Sequence, residues 1–112
     1  MNQSLALVVL FLAAGLEAGG DALVRTGLEA GSAGRRIALF AAGAVVLFAY
    51  GYAVNAPRWD FGKLLGIYVV FFFVVAQAIS WAVFGQKPTL PILVGGAFII
   101  VGGLVISLWR VA

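Results

Sequence analysis

Glu17 is the residue whose chemistry most needs an explanation. It is a carboxylic acid in an apolar stretch opened by Leu5-Ala6-Leu7-Val8-Val9-Leu10-Phe11-Leu12. A charge at the centre of a membrane-spanning helix costs about 2.5–3.5 kcal/mol, so such groups face a bundle interior or an aqueous cavity. There a carboxyl can exchange a proton for a cation. Asp21 and Arg25 follow at i+4 and i+8, which puts all three on one slowly drifting helical stripe. Asp21 and Arg25 read most simply as an ion pair near the interface. Glu17 has no cationic partner at its own depth, and its plainer alternative role is a structural bond to another helix. Tyr50, Tyr52 and Tyr68 offer ring faces and hydroxyls to a cation-binding cavity, although packing is the commoner use of an aromatic residue. Trp59 and Trp109, near segment ends, read as interfacial anchors.

These residues must be positioned by helices in a bilayer. The chain has 112 residues, of which 64% are hydrophobic and 10% charged; soluble domains carry roughly 25% charged residues. A transmembrane helix uses about 20 apolar residues. Four such segments are legible, at about 4–25, 37–54, 64–84 and 91–109. They predict an all-α integral membrane protein forming a single membrane domain over 1–112. The first segment has neither the basic flank nor the cleavage region of a signal peptide and is read as a retained helix. Thr26 to Gly34, Asn55 to Asp60 and Gly85 to Thr89 read as connections, with Pro91 suited to a helix start. Short connections predict an up-down array of antiparallel neighbours with both termini on one side.

The residue types present limit the chemistry. The sequence has no cysteine and no histidine, so no disulfide, thiolate nucleophile or common zinc site is expected. We expect no metal, no cofactor and no enzymatic activity, since no nucleophile–base pair is evident. A net charge of +3 suits anionic headgroups better than nucleic acid, which is not expected as a partner. Arg58, Lys63 and Arg110 mark one face of the array; Arg35, Arg36 and Lys87 mark the other, with Arg25 at its edge. This near balance gives the positive-inside rule almost no grip and suits insertion in both orientations, the alternative being a fixed topology set by one or two charges that the even count hides. Gly15 and Gly19 form a small-xxx-small pair, while the doublets Gly95-Gly96 and Gly102-Gly103 recur seven residues apart on one helical face. They predict a helix-packing surface in the last segment.

The sequence resembles the small multidrug resistance transporters of the drug/metabolite transporter superfamily. The resemblance rests on Ser80-Trp81-Ala82-Val83-Phe84-Gly85-Gln86, Leu90-Pro91, Gly95 and Gly102, and on Glu17, Gly20 and Arg25 in the first helix. It covers roughly half the chain. It implies an antiparallel homodimer in the cell inner membrane, multi-pass, packed through the fourth helices at Gly95 and Gly102. It also implies proton-coupled export of small or lipophilic cations, with Glu17 of each subunit exchanging protons and substrate; Asp21, Tyr68 and Tyr50 are further candidates for the site from their own chemistry and position. Departures fall in the third helix and at Asp21 of the first, and the tyrosines of the second helix do not align with the family. Tyr68 stands where the family usually has tryptophan and Leu65 where it has tyrosine; Val70 and Phe72 replace glycines, and Asp21 replaces a small hydroxyl residue. Two other readings stay open: a non-transporting membrane scaffold or subunit, and a dual-topology small-ion channel.

Overall fold

A computed structural model describes residues 1–109. Arg110, counted above with the basic residues of the terminal face, lies outside the described residues. Four helices follow in order: α1 (Gln3–Leu28), α2 (Ala33–Val54), α3 (Phe61–Phe84) and α4 (Leu90–Leu108). Each is long and apolar enough to cross a membrane, with mean hydropathy rising from 1.9 in α1 to 2.4 in α4. The architecture is that of a multi-pass membrane protein.

Local chemistry sets the helix ends. The Asn2 side chain accepts a hydrogen bond from the Leu5 amide at 2.7 Å, capping α1. The connection between α1 and α2 is much shorter than the expected stretch from Thr26 to Gly34. Thr26 stays helical and donates its hydroxyl to the Ala22 carbonyl at 2.8 Å. Ser32 caps α2 by accepting from the Arg35 amide at 3.2 Å. Arg36 lies inside α2 and donates to the Gly27 and Ala30 carbonyls, satisfying groups left over at the end of α1. At the far end of α3, Gly85 takes the left-handed conformation with φ +66°, and the Gly85 and Gln86 amides return to the Trp81 and Ser80 carbonyls. Pro91 sits in the first turn of α4, where it displaces no helical hydrogen bond.

The lateral order differs from a simple meander. Chain neighbours α2 and α3 both pack on α1, while α4 rests mainly on α3. The close approach of α1 and α2 explains this order. A Cβ at Gly43 would lie 2.7 Å from Val24 and 3.2 Å from the Gly20 carbonyl; one at Gly20 would lie 2.7 Å from Leu47. Gly15 and Gly19, the small pair marked by their spacing, have open space around them. The α3–α4 contact likewise uses glycine, with Gly96 against Phe73, Gly103 against Val70, and Gly66 receiving Ile106.

The packed core sits near the end that carries the α2–α3 connection. Leu10, Ala13 and Ala14 of α1 meet Val54 of α2 and Leu64, Ile67 and Tyr68 of α3. Gln3, Trp59 and Trp109 line one cavity at this end, which brings the start of α1, the end of α4 and the α2–α3 connection to the same side. At the other end a cavity of similar size lies between α1, α2 and α3.

Candidate functional site: a carboxyl–tyrosine pair beside a cavity

Steps of three and four residues carry the core stripe of α1 from Leu10 through Ala13 and Ala14 to Glu17. Glu17 therefore points where the apolar residues before it point, toward α3. There the Tyr68 hydroxyl donates a hydrogen bond to Glu17 Oε1 at 2.9 Å. Tyr68 is itself 3% exposed, with its ring held in the core and its hydroxyl at the core's edge. Tyr50 of α2 tilts against it, with ring centroids 5.7 Å apart, and Phe72, one turn further along α3, stacks at 6.3 Å. An acid from α1 is thus bounded by aromatic rings from α2 and α3.

Beyond this pair lies a cavity of about 480 Å³ between α1, α2 and α3. Asp21, Arg25, Phe72, Ser80 and Gln86 are among its lining residues, so Phe72 belongs both to the aromatic stack and to the cavity wall. Its size falls in the range of small-molecule pockets, roughly 300–1,000 Å³. Ser80 is held near the mouth by its contact with Gln86 at the α3–α4 turn, 3.3 Å from hydroxyl to side-chain oxygen.

Of the basic residues at this end, Arg25, Arg36 and Lys87 are engaged elsewhere. The Arg25 guanidinium lies 5.1 Å from the centroid of the Phe84 ring, and Lys87 lies 5.5 Å from that of Trp81. Arg36 is spent on the end of α1. Among the described residues no ion pair forms, so the expected Asp21–Arg25 bridge is replaced by the contact of Arg25 with Phe84. The physical balance favours this exchange. An exposed i, i+4 pair is worth about 0.3–0.5 kcal/mol, whereas a cation over an aromatic face gains about 0.5–1 kcal/mol or more. Asp21 is left exposed on the cavity wall, one turn from Glu17.

Of the residues proposed from sequence, the structure brings Glu17, Tyr68 and Tyr50 together and sets Asp21 beside them. Tyr52 turns away and is 78% exposed. Phe72 and Phe84 do not stand out in the sequence as site residues, because they lie within or just beyond a run of α3 that is apolar all round. The signal available for Phe72 was its i+4 spacing from Tyr68. Gly95 and Gly102 lie on an open face of α4 with nothing near them. A carboxyl in this setting can hold a proton, or an organic cation against the ring faces. No family model, curated protein or solved structure matches the chain.

Proposed function

We propose that the protein is a proton-coupled antiporter of the small multidrug resistance type, exporting small or lipophilic cations across the cell inner membrane. The observation carrying this reading is Glu17 itself: an acid on the inner stripe of a membrane helix, bonded to the Tyr68 hydroxyl, with no cation paired to it among the described residues. A purely structural acid would be expected to hold an ion pair or a closed hydrogen-bond network at that depth. An exchanging acid needs a donor that positions it and an approach for its ligand. Tyr68 supplies the first; for the second we assign the neighbouring cavity, whose wall includes Asp21, one turn from Glu17, and Phe72, one turn from Tyr68. If proton and cation cannot occupy the carboxyl together, binding of one expels the other.

Four helices in one copy scarcely enclose such a path, and the cavity near Glu17 has helix walls from α1, α2 and α3 only. We therefore assign the working unit to an antiparallel homodimer, in which two oppositely inserted copies recreate the inverted repeat used in alternating access. Gly95 and Gly102, open on α4, offer a surface where a second helix can approach closely.

The test is proton-driven uptake of a guanidinium or aromatic cation into proteoliposomes. Wild type should accumulate the cation when a proton gradient is imposed, and Glu17→Gln should abolish uptake while the purified variant stays helical and monodisperse. Unchanged uptake by Glu17→Gln would reject the mechanism. Absence of cation-dependent proton release from wild type in detergent would instead favour a scaffold.

A further inference from the structure

A second pair of cavities lies away from Glu17, where α4 meets the rest of the bundle. The first is a space of about 430 Å³ at the end carrying the start of α1 and the end of α4, with Gln3, Lys63, Trp59 and Trp109 around its mouth. The second, about 200 Å³, runs deeper beside α4 along Val70, Phe71, Ile100 and Leu104. Both are lined by Leu7, Ile67 and Ser107, so they form one groove that changes character along its length. Its mouth carries an ammonium, an amide and two indoles; its inner part is hydrocarbon.

The groove follows from the packing of α4. That helix rests on α3 through Gly96, Gly103 and Ile106, and its flank bearing Ile100 and Leu104 stands off from α1. On a helix of about 3.6 residues per turn, Gly95 and Gly102 fall on the opposite flank. A partner helix seated on those glycines would leave the groove open.

The charge at the mouth is unbalanced toward the positive. Lys63 is exposed and makes no ion pair among the described residues, although Asp60 precedes it by one turn. Arg58 and Asp60 of the α2–α3 connection offset one another, which leaves Lys63 as the one charged side chain among the described residues lining the mouth. A basic, indole-flanked mouth at the level of the headgroups, continuous with an apolar trough along a helix, matches an amphiphile with an anionic head. Basic pockets between helix ends are where anionic headgroups bind, and indole rings favour the same depth.

We propose that this groove holds one anionic phospholipid, its phosphate at Lys63 and an acyl chain lying along α4 past Ser107 and Ile100. The site is independent of Glu17 and of any transport activity. Its occupant fills the gap between α4 and α1, so bound lipid braces the helix that carries the open glycines.

Tryptophan quenching by brominated lipids tests the assignment. In a Trp81→Phe background, Trp59 and Trp109 report on the groove. Dibromo-phosphatidylglycerol in phosphatidylcholine nanodiscs should quench them at about fivefold lower mole fraction than dibromo-phosphatidylcholine, the preference expected of one basic residue. Lys63→Gln should abolish that preference, and Lys63→Arg should keep it. Ser107→Phe, which fills the segment shared by the two cavities, should reduce quenching by phosphatidylglycerol while leaving that by phosphatidylcholine unchanged. Equal quenching by the two lipids, or a preference that survives Lys63→Gln, would overturn the proposal. Competition by millimolar inorganic phosphate would move the assignment to a soluble anion. Disulfide formation between two Ser107→Cys copies, with loss of lipid preference, would assign the groove to a second chain.

Discussion

A hydrogen bond between a phenol and a carboxyl inside a membrane helix bundle has two separable consequences, one for stability and one for ligand exchange. Replacing Tyr68 with Phe leaves a half-buried acid without its donor, and should cost about 1–3 kcal/mol in unfolding by denaturant in detergent. Tyr52→Phe should stay within about 0.5 kcal/mol of wild type, because that side chain is 78% exposed. For the proposed exchange, proton and cation compete for Glu17. Cation affinity should then rise with pH by up to about tenfold per unit for each proton displaced, levelling off once the acid is deprotonated. Calorimetric titration in buffers of different ionisation enthalpy would read both the slope and the released proton. Glu17→Gln should make the profile flat, whereas Asp21→Asn, which leaves the Tyr68–Glu17 bond in place, should retain the slope. Glu17 was legible in the sequence because one acid stands out against so many apolar residues. Its partner was less legible: Tyr68 was one of three tyrosines of similar standing, and the packing of α3 on α1 decides which of them reaches the acid. The route of Arg25 to Phe84 depends on the end of α3 coming alongside α1, which spacing within α1 does not contain.

At the scale of elements, glycine decides which helices touch, and neighbouring glycines do opposite things. Gly43→Ile would drive a branched side chain into Val24 and the Gly20 carbonyl, an overpacking that should cost about 1–3 kcal/mol. Gly19→Ala meets open space and should be neutral or stabilising by up to about 1 kcal/mol. Thermal unfolding of the two variants in one detergent makes the comparison. On α4 the split falls within each doublet. Gly103→Leu should loosen α4 from α3 by striking Val70, whereas Gly102→Leu should preserve the monomer and weaken the proposed dimer, as cross-linking yield and mass in detergent would report. The four helices were legible because an uninterrupted apolar run of about 20 residues matches the thickness of a bilayer and is rare in a soluble fold. The extent of the first connection was not. Glycine, alanine and arginine between Thr26 and Arg36 look like a loop by hydropathy, yet a serine cap and an arginine reaching back across the turn let both helices continue through most of it. Lateral order was also hidden, because helices that are apolar nearly all round carry no stripe saying which side faces which neighbour.

For the whole molecule, balanced basic residues on the two faces remain the main argument for insertion both ways. Because the chain has no cysteine, Thr89→Cys creates a unique thiol in the α3–α4 connection. An impermeant maleimide should label comparable pools of it from outside and inside. Adding two arginines at Glu29 and Ala30 should collapse labelling to one side. The unequal packing of α1 on α3 also shapes the dynamics. Their contact is knitted at the Leu10–Leu64 end and adjoins a cavity at the Gly85 end, so amide exchange along α3 should be slow near Ile67 and quicken toward Ser80. Each chain thus has one densely packed end and one hollow end. In two copies set head to tail, the packed end of one would lie level with the hollow end of the other, so each leaflet would hold one rigid and one yielding end.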